Sequence, residues 1–498
     1  MTTHVARVTA NRNRPVKTRS LLVTLLLFPA LAASVHAEEL FTPPFLFFDV
    51  GQNPSAVAIA DLNADGRADL AVADNGCYGC RPPYPDVPGV STLLGNGDGT
   101  FGPYTQFASG HPWSVAIADL NADGRPDLVT ADPVSSTVSV LLGNGHGFGP
   151  KTDFGTSDRP YSVAIADVNE DGRPDLVAAT YGLYELGQAG AVSVLLGNGN
   201  GTFKPKTDFA AEYGSKSVAI ADLNADGHLD LAVANVLSNT VTVLLGNGHG
   251  EFTYNTLLTL GSAPNSVAIG DLNADGRPDL AVANTGSNTV SVLLGNGDGT
   301  FGNRTDFGTY ISPYSVAIGD LNADARPDLA VANYGVIGYD GLVSVLPGNG
   351  DGTFEPKLDF YTGYPQSPAL YSVAIGDLNA DGRPELAVAG SMAVVVMLNT
   401  GTGVLAVGGS SIGLSLSGSV PNPSRELRVS FTLPDGKPAR LVVYDVSGRE
   451  VDRMAVGALG AGRHMVTLGA SGAVAPGIYL VHLIRGDRRL VARMAVVR

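Results

Sequence analysis

One phrase recurs seven times along this chain of 498 residues, and it constrains the fold more than any other feature. From Ser266 to Asn284 it reads Ser-Val-Ala-Ile-Gly-Asp-Leu-Asn-Ala-Asp-Gly-Arg-Pro-Asp-Leu-Ala-Val-Ala-Asn. Its first aspartates are Asp61, Asp119, Asp167, Asp222, Asp271, Asp320 and Asp377, spaced by 58, 48, 55, 49, 49 and 57 residues. A period of about 50 residues suits a blade of four short strands, so the repeats predict a propeller and not a helical solenoid.

The pattern inside one copy gives the strands. Val267 and Ile269 alternate with Ala268 and Gly270, the period of a strand with two unlike faces. Leu280 to Ala283 is a second strand of small apolar residues, and Thr289 to Leu294 a third, ended by Gly295-Asn296-Gly297-Asp298-Gly299. Thr305 to Phe307 begins a fourth. The seventh copy supplies Ser372–Leu378, Glu385–Ala389 and Ala393–Leu398, and then the pattern stops. Phe45–Val50 reads like a fourth strand with no copy of its own before it. It is expected to complete blade seven, joining both ends of the ring and leaving no bare sheet edge.

Each copy carries an acidic loop between its first two strands. Positions 1, 3, 5 and 9 are Asp61, Asn63, Asp65, Asp69 in the first copy and Asp119, Asn121, Asp123, Asp127 in the second. The next three have Asp167, Asn169, Asp171, Asp175; Asp222, Asn224, Asp226, Asp230; and Asp271, Asn273, Asp275, Asp279. The last two have Asp320, Asn322, Asp324, Asp328 and Asp377, Asn379, Asp381, Glu385. Calcium takes six to eight oxygens at about 2.3–2.6 Å, and oxygens at alternate positions of a tight loop can converge on one ion. Up to seven structural calcium ions are therefore expected, with a carbonyl at position 7 and a water completing each shell. EF-hand loops run 12 residues between helices and end in Glu, so these shorter loops between strands are a different device. Ala325 stands where other copies have the loop glycine, and Glu385 where they have the last Asp, so both sites are expected to be weaker. The Gly-Asn-Gly-x-Gly turns vary at x (Asp98, His146, Asn200, His249, Asp298, Asp351), which suits hairpin turns and no ligand position. The Gly97, Gly99, Gly102 spelling lacks a following helix and makes no dinucleotide site.

The repeats resemble the FG-GAP (VCBS-type) repeats of integrin α-subunit propellers and of many bacterial exported proteins. The name's phrase survives as Phe307-Gly308 followed by Pro313 and as Phe154-Gly155 followed by Pro160. The resemblance covers about residues 41–400, and it implies a propeller with calcium in the loop between the first two strands of a blade. After Asn399 the composition turns to Gly and Ser through Ser411, and Arg428–Leu433, Arg440–Asp445, Arg463–Leu468, Gly477–Ile484 and Val491–Val497 then read as strands of a β-sandwich. This segment resembles the immunoglobulin-like C-terminal domain of type IX secretion cargo, related to the flagellar hook-capping type. The matching residues are Pro421-Asn422-Pro423, Val443 to Arg449, Gly462-Arg463-His464, Gly477-Ile478-Tyr479 and Arg493 to Arg498. The likeness implies outer-membrane export in a Gram-negative bacterium, with surface attachment or release.

The expected fold is thus all-β: a seven-bladed β-propeller (38–400) after a secretory signal peptide (1–37), then a linker (401–411) and an immunoglobulin-like β-sandwich (412–498). The signal is read from a basic start, the apolar run Leu21 to Ala33, and the small-residue site Val35-His36-Ala37. That run is shorter than the ~20 residues of a membrane span. Between the signal and Ser411 lie 41 acidic and 14 basic residues, a balance that disfavours nucleic acid and favours cations. In an exported chain Cys77 and Cys80 are expected to form a small disulfide.

Loops 2–3 and 4–1 should share the face opposite the acidic loops. They carry Tyr78, Tyr84, Tyr181, Tyr184, Tyr334 and Tyr339, with Trp113, Tyr161, Tyr314, Tyr364 and Tyr371. Such a rim could stack on sugars or anchor a protein partner, or simply pack its own loops. No catalytic set emerges. The histidines occupy unrelated positions, and Gly409-x-Ser411-x-Gly413 lies in the linker without strand-turn-helix context. The sequence therefore points to an exported calcium-binding scaffold for binding or adhesion, with a protein or carbohydrate ligand and secretion machinery as partners. A polysaccharide-acting enzyme, an accessory carbohydrate-binding subunit and a structural surface-layer component are the competing classes.

Overall fold

Each repeat folds as its alternation requires. In blade five the strands Pro264–Gly270, Asp279–Asn284, Thr289–Leu293 and Thr305–Gly308 pair antiparallel in chain order. The computed structural model describes residues 40–43, 45–76, 87–335, 341–362, 369–391, 393–401, 415–417, 427–433, 437–445, 449–456, 462–468, 477–485 and 488–496. Six four-stranded sheets share this order, and a seventh joins Leu370–Gly376, Glu385–Gly390 and Ala393–Met397 to the N-terminal Leu46–Phe48. First strands of adjacent blades touch all the way round, including Pro54–Ala60 against Leu370–Gly376. The chain is a seven-bladed β-propeller with its first strands around the axis.

The stacking of blades follows from the large-small alternation of the second strand. In Leu280-Ala281-Val282-Ala283 every residue is buried. Leu280 and Val282 pack on Ala232, Ala234 and Val241 of blade four. Ala281 and Ala283 meet Val316, Leu329 and Val331 of blade six. Blade five thus sets branched residues into the alanines of its predecessor, close packing that a run of equal-sized side chains would not give.

The expected closure is present, in a shorter form. Leu46, Phe47 and Phe48 pair antiparallel with Val396, Val395 and Val394. The sequence reading had not singled out Phe41. It is fully buried, bridges Asn399, and meets Phe360 edge-on at 5.4 Å. The same edge-on pair recurs between other blades, as Phe48–Phe101 at 5.1 Å and Phe307–Phe354 at 5.0 Å. The N-terminal segment therefore replaces both the turn phenylalanine and the fourth strand that blade seven lacks.

The C-terminal region forms two sheets. One holds Ser415–Ser417, Leu427–Leu433 and Gly462–Leu468, and the other Glu450–Ala455, Arg440–Asp445, Gly477–Arg485 and Arg488–Val496. Val429 of the first sheet shares a core with Leu441, Val443, Tyr479 and Val481 of the second. Glu450–Ala455 was missed because Glu-Val-Asp-Arg-Met-Ala mixes charge with apolar residues and is mostly exposed.

The expected signal peptide, the Cys77–Cys80 disulfide, the tyrosines Tyr78, Tyr84, Tyr339 and Tyr364, and the linker from residue 402 onward lie outside the described residues. Among the described residues no helix is long and apolar enough to cross a membrane.

Candidate functional site

Two hydrogen-bond systems separate the propeller's faces. On one, the Asp279 carboxylate accepts the Leu272 N–H at 2.8 Å and the Gly295 N–H at 2.7 Å. It so ties the 1–2 loop to the 3–4 turn. On the other face the residue after the second strand donates to the 4–1 loop, as Thr285 N–H to the Ala263 carbonyl (2.9 Å) and Tyr334 N–H to that of Ser312 (2.8 Å).

The acidic loops are built alike. Asp271 accepts the N–H groups of Asp275 (3.1 Å) and Gly276 (2.8 Å), Asn273 accepts that of Asp275 (3.0 Å), and Asp275 accepts that of Arg277 (2.9 Å). Position 4 lies in the left-handed region in all seven loops, from Ala64 (φ 60°) to Ala380 (φ 58°), as does position 6. Ala325 does take a positive φ of 63°, the strain expected for a non-glycine there. Position 9 differs from the sequence expectation in setting. Each such acid is fully buried and both its oxygens already accept backbone N–H groups, so it staples the loop. Glu385 does the same with its longer arm, accepting Leu378 N–H at 2.7 Å and Asn399 N–H at 3.4 Å.

Electrostatics in these loops is unbalanced. Burial pushes the Asp328 carboxyl up to about 7, the Gly348 and Leu321 N–H groups pull it down, and the Asp324 and Asp320 charges raise it further. Glu385 is raised to about 7 and Asp175 to about 6 in the same way, burial being the largest cause. At position 7 the sequence reading used the backbone carbonyl and overlooked the side chain: Arg125, Arg326 and Arg383 each pair with their position-5 aspartate at 2.5 Å. Oxygen-only donors of this kind fit a hard cation, and a carboxylate oxygen that accepts one N–H keeps a second lone pair. As arranged here, no three His, Cys, Asp or Glu side chains among the described residues are gathered as a metal would need.

The opposite face carries a ring around the axis. The first strand is irregular at its second residue in six blades, where Ser55, Tyr161, Lys216, Asn265, Tyr314 and Tyr371 each fall in a register break. Trp113 holds the same place in blade two, just before Ser114–Ala118. A bulge frees a side chain from the strand's in-out alternation and re-aims it. Here the freed side chains meet across blades. Trp113 lies 5.3 Å from Tyr161 and 6.2 Å from Tyr371, and Tyr371 lies 5.5 Å from Tyr314. Tyr334 from a 2–3 loop joins Tyr371 at 5.4 Å, and Tyr181 joins Tyr161 at 5.4 Å.

Lys216 sits among these rings. Its Nζ is 4.5 Å from the Tyr314 ring centre, 5.5 Å from Tyr161 and 5.8 Å from Trp113, and donates to the Tyr314 hydroxyl at 2.7 Å. Burial alone lowers it from 10.5 to about 8. Burial raises Tyr371 to about 12 and Tyr314 further still. Of the expected rim, Trp113, Tyr181 and Tyr334 thus converge, while Tyr184 packs edge-on against Tyr213 of its own neighbourhood. The sequence reading missed Lys216. The signal was available: it occupies the place of Tyr161, Tyr314 and Tyr371 before the shared Ser-Val-Ala-Ile. The described histidines stay dispersed, with His111 on the Asn75 carbonyl, His228 on Glu170 and His482 against Tyr444.

A family match agrees with the repeats. The FG-GAP-like repeat family matches residues 84–130, 119–178, 183–233, 222–282 and 271–331. No curated protein matches the chain. Among solved structures, BBS1N in complex with ARL6DN, soaked with lead, is similar at 12% identity and a TM-score of 0.48, covering 72% of this chain and 99% of that one. The same complex soaked with mercury is similar at 13% identity and a TM-score of 0.47, covering 72% and 98%. Residues 84–331 run from the first blade into the sixth, and this stretch of the seven-bladed β-propeller is built of FG-GAP-like repeats.

Proposed function

We propose that this protein is an exported calcium-binding propeller that serves as a secreted or cell-surface binding scaffold, with its ligand on the aromatic face. The observation that carries the reading is the ring of re-aimed side chains around the axis, from Trp113 through Tyr161 and Lys216 to Tyr371. Aromatic faces and phenol hydroxyls suit a sugar or a protein side chain. The acidic loops act on the other face as frame. Three carboxylates and one arginine leave most loops with a net charge equal and opposite to one calcium ion. Positions 1, 3 and 5 would hold the ion beside the position-9 staple, and calcium would supply the positive charge these crowded acids lack.

A glycan and protein array probed with the purified chain and with Trp113→Ala tests the binding role. The reading expects retained ligands whose signal is lost with Trp113→Ala, at an unchanged melting temperature. Ligands held equally by both proteins, or none at all, would refute it.

A further inference from the structure

We infer that the axial ring binds a carboxylate-bearing sugar, such as a uronic acid, with the sugar's carboxylate seated on Lys216 and its ring stacked on the surrounding aromatics. The inference rests on the binding role proposed above and names its ligand class.

Four observations carry it. Lys216 is a half-buried cation whose hydrogen bond is to a neutral phenol, Tyr314 Oη, and no carboxylate among the described residues pairs with it. The same bulge position holds tyrosine in three other blades, so an aromatic plug could be made there without burying an ammonium. A desolvated charge without a counter-ion is costly unless something supplies one. Beside it in the ring, Asn265 is buried with its Oδ1 unpartnered, an acceptor suited to a sugar hydroxyl.

The fourth observation concerns the backbone. First strands pair outward with second strands, and in most copies the N–H of the valine in Ser-Val-Ala-Ile already goes to a serine of the preceding blade, as Val218 N–H to Ser162 Oγ (3.4 Å) and Val316 N–H to Ser266 Oγ (3.3 Å). A peptide strand laid along a first strand would have to displace that bond, so strand addition is disfavoured here. Stacked aromatic faces, an acceptor and one cation instead match the apolar face, hydroxyls and carboxylate of a sugar acid.

Trp113 is the chain's one tryptophan and lies in the ring, so its emission reports occupancy directly. The purified chain is titrated with D-galacturonate and D-glucuronate, and with D-galactose and D-glucose as neutral counterparts. The expected result is a saturable change with the acids at an affinity at least about tenfold higher, as one charge-assisted hydrogen bond gives. Lys216→Met and Lys216→Gln should abolish that preference, and Lys216→Arg should keep it. Neutral sugars binding as tightly as the acids would overturn the inference while leaving the ring a binding site. Preference for a poly-glutamate peptide over the sugar acids would also overturn it. Silence of Trp113 with every sugar, together with an array free of ligands, would remove both readings.

Discussion

Replacing Lys216 with methionine should make the protein more stable at neutral pH. Burial moves the ammonium from 10.5 to about 8. At about 1.4 kcal/mol per pH unit this is a penalty of about 3 kcal/mol on the charged form. Methionine fills a similar volume and removes that penalty. It also removes the hydrogen bond to Tyr314, about 1 kcal/mol, and the attraction of the aromatic faces, about another 1 kcal/mol. The net gain is about 1 kcal/mol at pH 7, a rise in melting temperature of roughly one to two degrees. The sign changes with pH. The folded-state value lies below the unfolded one, so the folded protein sheds this proton first and the wild type gains stability as pH rises from about 8 toward 10.5. By pH 9.5 the advantage of methionine should have vanished or reversed. Thermal melting of both proteins at pH 7 and pH 9.5 reads the effect. A variant less stable than wild type by more than about 1 kcal/mol at pH 7 would refute the reasoning. It would make Lys216 a structural tie and not a strain kept for a ligand.

Three further outcomes follow from the fold. Phe41→Ala should cost about 3–5 kcal/mol, because a fully buried ring at the closure of blade seven is lost; a loss under about 1 kcal/mol in a melting curve would show that Leu46–Phe48 closes the ring unaided. Ala325→Gly should raise stability by about 1 kcal/mol by relieving the left-handed backbone at φ 63°, with no such gain expected for a glycine placed at an extended position. Asp279→Ala should lower stability by at least about 2 kcal/mol, since the Leu272 and Gly295 N–H groups would be left buried and unpaired; a neutral result in denaturant titration would contradict the staple.

Strand periodicity and repeat phase made most of the propeller legible before any coordinates. The Leu-Ala-Val-Ala strand and the glycine turns each had a local cause that a single copy displays, and the strand count over seven copies assigned the orphan N-terminal strand. What escaped depends on contacts between copies. Phe41 matters only because Phe360 of the neighbouring blade is there to meet it. Lys216 escaped because one copy does not say where the residue before Ser-Val-Ala-Ile points, although Trp113, Tyr161, Tyr314 and Tyr371 hold that place with aromatics. The bulge re-aims Lys216, Tyr161 and Tyr314 so that they meet one another across blades. Position 9 was read as one more calcium ligand because its residue type fits. Its burial beneath the 3–4 turn reveals a second task that spacing within the loop does not encode.

The central claim is a division of labour, with an ion-held acidic frame on one face and a free binding ring on the other. The frame is the half on which everything else stands. Metal counting on purified protein, paired with melting curves before and after chelation, tests it most directly. The account predicts about four or more calcium ions per chain and a clear fall in melting temperature on chelation, restored by adding calcium. One ion or none, with an unchanged melting curve, would contradict it.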